Sequence, residues 1–221
     1  MLPLANSANN IGMPWWTGKD EIRTYLHQVN TPTKVLEYSL FQPGLFLNYL
    51  ATPHKMAEFL TPLNTFIDMA NRRAIVVEGY EDDAVMTLTT VQDLAAVVAA
   101  AVEYEDGEWP EVGGIRGNAL PISKIIEIGE RVRGGEKFVV EKVKMEDLEA
   151  GRLTASWGLE AKHGSVSGEE AQRLLKQVLV GTLIGSAKGA WEVSDEWNRL
   201  LPGFAFTGVE EFLEKAWAGK D

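Results

Sequence analysis

The chain has 221 residues, 45% of them hydrophobic and 24% charged, so it is long enough to bury one large core or two smaller ones. Its 32 acidic and 21 basic residues give a formal net charge of −11, which disfavours nucleic acid as a partner because no basic stripe reverses the balance. Cysteine is absent, which excludes disulfides and thiolate metal sites, and no apolar run approaches the roughly 18 residues of a membrane span.

The first predicted element is a helix that follows Thr17. Threonine is a common N-cap residue, and Asp20 stands three residues later in a variant of the capping box. The apolar residues that follow have the spacing of one helical face: Ile22, Tyr25, Leu26 and Val29. We expect this helix to end at residues 30–32, where Asn-Thr-Pro interrupts the pattern.

Two apolar runs then predict buried strands. Residues 35–41 are rich in strand-forming side chains and stop at Gln-Pro-Gly, and residues 74–77 stop at Gly79. Both runs are mostly apolar, so we expect them to be interior strands of a parallel sheet. Thr90 and Asp93 then predict the start of a second helix. Its predicted buried stripe comprises Val91, Leu94, Ala95, Val98, Ala101 and Val102.

The same alternation continues into the second half of the chain. Residues 112–115 predict a strand, and Ile122 lines a helix that ends at the glycine pair 134–135. Residues 138–143 predict another strand, followed by a short helix over residues 145–150.

Two capping boxes predict the last two helices. Ser167 pairs with Glu170 at the first, and Thr207 pairs with Glu210 at the second. The polar residues 151–165 before them predict a loop. Strands that alternate with helices indicate an α/β fold with a mostly parallel sheet.

Five segments carry a resemblance to a known family. The first two are residues 18–26, GKDEIRTYL, and residues 40–49, LFQPGLFLNY, a lysine-bearing helix and then a strand that ends in a proline turn. Residues 89–95, TTVQDLA, resemble a later helix start, and residues 195–198 and 206–213 resemble the tail of fungal members. In their order and spacing they make the chain similar to NmrA-like and isoflavone-reductase-like proteins, an atypical branch of the short-chain dehydrogenase/reductase superfamily.

The resemblance implies a fold and a cofactor. The fold would be a partial NAD(P)-binding Rossmann-like sheet with a C-terminal α/β substrate-binding region. Family members begin with a dinucleotide-binding half, and Met1 matches a late point in it, so we expect roughly four of the usual six strands to be missing. Residues 1–50 would then be a remnant of that half, and residues 51–221 the rest of a single NmrA-like domain. Because the sequence has no Gly-rich phosphate-binding turn, we expect weakened binding of NADP or NAD.

The resemblance also implies a site. Lys19 matches a family lysine that lies beside the nicotinamide ribose and assists proton or hydride chemistry in reductase members, a role that suits an ammonium with three hydrogen-bond donors. Pro43 and Gly44 match the turn after a core strand. The nicotinamide pocket would then be lined by Leu45, Phe46, Leu47 and Asn48. The residues alone leave open that Lys19 is an ordinary solvated lysine and that the turn merely ends a strand.

One residue departs from the classical members of the superfamily. They use Tyr-x-x-x-Lys, whereas Trp15 stands four residues before Lys19. An indole N–H cannot act as an acid at neutral pH, so the sequence does not support carbonyl reduction by a Tyr–Lys pair. Isoflavone-reductase-like relatives also lack that tyrosine, so the departure is consistent with the suspected branch.

Three interpretations of function follow from these features. The first is an NAD(P)-dependent oxidoreductase that reduces a small aromatic or conjugated metabolite. The second is a non-catalytic NmrA-like regulator that senses the dinucleotide and acts through a protein partner, for which an acidic surface would suit a basic partner. The third is a fragment without activity. The missing secretory signal predicts a cytoplasmic location, and an open sheet edge would favour a homo-oligomer.

Other patterns predict structure rather than chemistry. The glycines in residues 112–118 do not have the spacing of a phosphate-binding loop, so we expect a plain turn. The histidines are too far apart in sequence to predict a zinc site: His27, His54 and His163. Glycine recurs every fourth residue near a helix end, which favours close helix packing: Gly181, Gly185 and Gly189. Trp191 and Trp197 either cover a substrate pocket or pack under a loop.

Overall fold

The computed structural model describes residues 17–160 and 168–220. The helices in these ranges are α1 (Thr17–Val29), α2 (Val91–Val102), α3 (Ile122–Val132), α4 (Met145–Glu149), α5 (Gly168–Ala187), α6 (Glu196–Leu200) and α7 (Val209–Trp217). The strands are β1 (Leu40–Gln42), β2 (Leu45–Phe46), β3 (Ile67–Asp68), β4 (Arg73–Val77), β5 (Val85–Thr89), β6 (Val112–Gly114), β7 (Asn118–Pro121) and β8 (Val139–Val143). A 3₁₀ helix, Leu47–Ala51, follows β2 directly. None of the helices in these ranges is both long enough and apolar enough to cross a membrane.

The strands form three small sheets that contain both parallel and antiparallel pairs. β1 pairs with β6 in parallel, and β2 pairs in parallel with β5, which pairs antiparallel with β7. In the third sheet β4 lies between β3, which is antiparallel to it, and β8, which is parallel. The predicted α/β class is confirmed. The predicted division at residue 50 stays a prediction, although the β1–β6 pair joins residues on both sides of it.

The main core lies where β4 and β5 meet the apolar faces of α3 and α7. Four of its side chains have no exposed surface: Ile75, Met86, Ile125 and Leu213. Burial of each such side chain stabilises the fold by roughly 1.5–3 kcal/mol. The predicted strand at residues 74–77 is therefore confirmed as an interior strand.

A smaller core holds β6 against the C-terminal part of the chain. Trp197 is fully buried there with Val97, Ala101 and Ile115. A Cβ atom on Gly113 would lie 2.6 Å from the indole nitrogen of Trp197, so this strand position accepts only glycine without rearrangement. The indole N–H donates to the Ser39 hydroxyl across 3.1 Å, which ties α6 to the residue before β1. Trp197 thus packs internally, and Gly113 and Gly114 lie in a strand rather than a turn.

The predicted strand over residues 35–41 is much shorter in the structure. Only residues 40 and 41 of that run belong to β1, and Val35 and Leu36 are 69% and 45% exposed. The Asn30 carboxamide oxygen accepts hydrogen bonds from the amides of Val35 and Leu36, at 3.0 and 2.9 Å. This local contact uses the donors that a sheet ladder would need, so the run stays outside the sheet.

Two predicted helix faces differ from those observed. Helix α1 has no buried residue, and Ile22 and Tyr25 on its predicted face are 60% and 65% exposed. In α2 the buried residues are Asp93, Val97 and Ala101, whereas Val102 is 69% exposed. The Asp93 carboxylate turns inward and accepts hydrogen bonds from the Thr207 amide and hydroxyl. The buried face of α2 is therefore rotated relative to the predicted stripe.

The helix starts also show one confirmed and one wrong prediction. The Thr90 hydroxyl accepts from the Asp93 amide at 3.0 Å, as the predicted cap requires. The predicted cap at Thr207 is wrong, because α7 begins after Gly208 and the Thr207 hydroxyl donates instead to Asp93, at 3.1 Å. The predicted cap at Ser167 lies outside the described residues. The sequence patterns did not identify β2, β3, β5 or β7.

Candidate functional site

A cavity of 540 Å³ lies between α1 and the turn that joins β1 to β2. We call it the β1–β2 cleft. Its lining comprises Lys19, Ile22, Arg23, Ser39, Leu40, Phe41, Gln42, Pro43, Gly44, Leu45, Phe46, Tyr49, Trp191 and Val193. The cleft therefore brings together one face of α1, both short strands and the segment that follows α5.

The β1–β2 turn owes its shape to Gly44. This residue has a φ of +71°, a left-handed conformation that favours glycine. A Cβ atom there would collide with the backbone carbonyl of Thr87 in β5. In the structure the glycine therefore allows close approach of the neighbouring strand β5. The turn then brings Leu45 and Phe46 to the cleft, where Leu45 pairs with Leu88.

Gln42 is the buried polar residue of the cleft. Its residue surface is only 3% exposed, and its backbone carbonyl accepts from the Ile115 amide at 3.0 Å. Its side-chain oxygen, Oε1, is buried and has no hydrogen-bond partner within the described ranges. A buried amide oxygen without a partner is costly, so a donor from a bound molecule would satisfy it.

Two basic residues border the cleft on the side of α1. Lys19 is exposed, and Arg23 lies one turn further along the helix. Burial lowers the pKa of the Arg23 guanidinium, and its contact with Asp20, at 3.2 Å, opposes that effect. The lining of the cleft therefore contains two basic side chains and no carboxylate, although the whole chain is acidic.

Aromatic side chains form much of the remaining wall. Phe46 and Tyr49 lie with their ring centroids 5.7 Å apart, and burial raises the pKa of the Tyr49 phenol. Phe41 stacks on Trp197 with centroids 5.5 Å apart. Trp191 donates from its indole nitrogen to the Thr182 carbonyl at 3.2 Å, which fixes the ring beside the cleft. Walls of this kind suit a ligand with a flat apolar ring system, which can stack on the aromatic side chains.

The structure brings together most of the residues predicted for a cofactor site. Lys19 and the four residues Pro43, Gly44, Leu45 and Phe46 line one cavity. Leu47 and Asn48 do not line this cavity, and their predicted place in a nicotinamide pocket stays a prediction. Leu47 is fully buried in the main core. Asn48 accepts from the Val91 amide at 2.9 Å, so it supports the start of α2.

Sequence patterns missed several lining residues. The sequence patterns indicate only a strand end at Gln42 and assign no role to Arg23 or Tyr49. The predicted site residues on this segment are 43–48. Gln42 precedes them by one residue and Tyr49 follows them by one, so a wider window around the Pro-Gly turn includes both. Within the described ranges, no three His, Asp or Glu side chains are placed to hold a metal ion.

Comparisons with known proteins identify relatives of both the sequence and the fold. No family model matches the chain. An oxidoreductase named swnN, from Metarhizium robertsii, is 24% identical over 187 residues, which make up 84% of this chain and 53% of the relative. The chain therefore spans about half the length of that relative.

Solved structures share the fold at lower identity. NADPH-dependent quinone oxidoreductase QOR2 from Escherichia coli, in complex with NADPH, has a TM-score of 0.58 and 17% identity, and the match covers 93% of this chain and 60% of that one. A nucleoside-diphosphate-sugar epimerase from Staphylococcus aureus has a TM-score of 0.57 and 16% identity, with 96% and 62% covered. The chain thus has an α/β fold of the Rossmann-like type, as predicted.

Proposed function

We propose that the β1–β2 cleft binds the nicotinamide end of NADPH or NADH and that the protein is an NAD(P)-dependent oxidoreductase. Its substrate would be a small aromatic or conjugated metabolite. The observation that carries the proposal is that Lys19, Gln42 and the turn at Pro43 and Gly44 border one cavity. Its volume of 540 Å³ lies within the roughly 300–1,000 Å³ of small-molecule sites.

The residues of the cleft fit a nicotinamide in chemistry. A nicotinamide carboxamide carries an NH₂ group, which is the donor that Gln42 Oε1 lacks. Phe46 and Tyr49 offer apolar ring surface to a pyridine ring. The Lys19 ammonium would donate to ribose hydroxyls at the mouth of the cleft. No Gly-rich phosphate-binding turn occurs in the 221 residues, so the fit concerns the nicotinamide end alone.

A reduced nicotinamide supplies a hydride when it is bound. The residues of the chain would position the substrate and polarise it. The Tyr49 phenol is protonated at neutral pH, and burial raises its pKa further, so it would donate a hydrogen bond to a substrate carbonyl oxygen. The rings of Phe46 and Trp191 would keep water from the reacting atoms.

Calorimetric titration of the whole chain with NADPH and NADH tests cofactor binding. We expect a weak dissociation constant, in the high micromolar range, because the phosphate-binding turn is lacking. Gln42→Leu should weaken binding about tenfold by removing one hydrogen bond. The same substitution removes a buried oxygen without a partner, so the protein should keep or gain stability in urea. This combination separates a ligand-binding role from a structural one.

Lys19→Met tests the basic side of the cleft, and Lys124→Met is its matched control. Lys124 lies on α3 and pairs with Glu127 at 2.8 Å, away from the cleft lining. Equal NADPH affinity in both variants would contradict the assignment of Lys19. Oxidation of NADPH by a panel of quinones and conjugated carbonyl compounds tests catalysis. Binding without oxidation of cofactor by any of them would favour the regulator interpretation instead.

A further inference from the structure

A second cavity, of 530 Å³, lies between α4 and α5. We call it the α4–α5 groove, and it shares no lining residue with the β1–β2 cleft. One wall is a single face of α5, because its lining positions follow helical spacing. These positions are Arg173, Lys176, Val180, Ile184 and Lys188. The opposite wall is formed by the end of α4 and the glycine at position 151.

The middle of the groove is apolar. Leu148 is 1% exposed, and Val180 and Ile184 are partly buried against the main core. Gly181 lies between them and has no side chain, which leaves room in the centre of the groove. The glycine spacing seen in the sequence therefore has a consequence here besides helix packing.

The charge of the groove is opposite to that of the chain. Its lining contains three basic side chains and one carboxylate, whereas the chain has 21 basic and 32 acidic residues. At one end Lys188 Nζ lies 2.8 Å from Glu149 Oε1, so this end is neutral. At the other end, Arg173 and Lys176 make no ion pair with any carboxylate in residues 17–160 and 168–220. The groove thus has one cationic end and an apolar middle.

We infer that the α4–α5 groove binds an elongated amphipathic carboxylate. The carboxylate would lie at Arg173 and Lys176, because a guanidinium pairs with a carboxylate through two parallel hydrogen bonds. The apolar chain would lie over Val180 and Ile184. Lys176 and Ile184 are separated by roughly 12 Å along the helix axis, a length that a medium-length acyl chain covers. This inference does not depend on the proposed function.

Titration calorimetry with three probes tests the groove. Decanoate has both the charge and the chain, decanol has only the chain, and acetate has only the charge. We expect decanoate to bind the whole protein at least about tenfold more tightly than either of the others. The double variant Arg173→Gln/Lys176→Gln should lose that advantage, and Val180→Thr should weaken decanoate while keeping the shape of the floor.

Two controls locate the binding. Lys124→Gln/Arg131→Gln also removes one lysine and one arginine charge, but from α3, outside the groove. It should leave decanoate affinity unchanged. Gln42→Leu alters only the β1–β2 cleft and should also leave it unchanged. Equal binding in the two double variants would overturn the inference, and so would loss of binding in Gln42→Leu. Failure of decanoate to bind would overturn it as well. If the groove variant then changes the molecular mass in light scattering, the groove joins two copies of the chain.

Discussion

The turn that forms the cleft depends on a glycine for two separate reasons, and alanine substitutions can separate them. At Gly44 an alanine would have to adopt a φ of +71°, which costs about 1–2 kcal/mol for an L-residue. Its Cβ would also press on the backbone carbonyl of Thr87, and forced overpacking of this kind costs about 1–3 kcal/mol. We therefore expect Gly44→Ala to lower the free energy of unfolding by about 2–5 kcal/mol.

Two other glycines provide matched controls. Gly79 has a similar φ of +82° and no atom within 4 Å of an added Cβ, so Gly79→Ala should lose only about 1–2 kcal/mol. Gly113 has no positive φ, but its Cβ would lie 2.6 Å from the Trp197 indole nitrogen, so Gly113→Ala should lose about 1–3 kcal/mol from packing alone.

Urea unfolding at equilibrium, followed by fluorescence, measures all three variants against the wild type. The difference between Gly44→Ala and Gly79→Ala isolates the contact with Thr87. If the two variants lose equal stability, the close approach of the turn to β5 is wrong. The Gly44→Ala protein should also bind NADPH more weakly than the Gly79→Ala protein, because the turn borders the proposed nicotinamide site.

Three further predictions concern the Thr90 cap, the Glu141 carboxylate and the edge of β1. Thr90→Ala removes the cap on the Asp93 amide and should lower the free energy of unfolding by about 1 kcal/mol, whereas an unchanged stability would contradict the cap. The Ser156 hydroxyl and amide lower the pKa of Glu141, so Ser156→Ala should be less stable than the wild type above the ordinary glutamate pKa. That gap should close as the pH falls through the lowered pKa, and a gap that persists in acid would refute the linkage. The edge of β1 opposite β6 has no partner strand within the described ranges, so light scattering at micromolar concentration should show association; a stable monomer would count against an open edge.

Turn and helix chemistry could be predicted because it depends on neighbouring residues. The Pro-Gly turn at residue 43 and the Thr90 cap are fixed by local geometry, and both lie where the sequence placed them. The strand over residues 35–41 could not be placed correctly, since Asn30 competes for its amides from a position five residues away. The helical spacing of its apolar residues predicts α1 correctly. Whether that apolar face is buried depends on tertiary packing, and in the structure α1 has no buried residue.

The candidate site was only partly predictable for a similar reason. Lys19 and the turn were found because a family resemblance names them in order along the chain. Gln42 has no distinguishing pattern, and it belongs to the candidate site because it is buried beside a cavity that only the folded chain forms. Leu47 and Asn48 belong to the same segment, but the 3₁₀ helix turns their side chains into the core and toward α2.

The bond from Trp197 to Ser39 joins residues 158 positions apart, and that separation has a consequence for biosynthesis. A second such bond runs from the Trp217 indole to the Leu50 carbonyl, across 167 positions at 3.2 Å. The ribosome delivers β1 and the 3₁₀ helix long before the two tryptophans that hold them in place. During translation these early segments emerge before their partners, so we expect the β1–β2 cleft to be among the last parts of the protein to be completed. A premature stop before Trp197 would therefore damage a site formed by residues near the beginning of the chain.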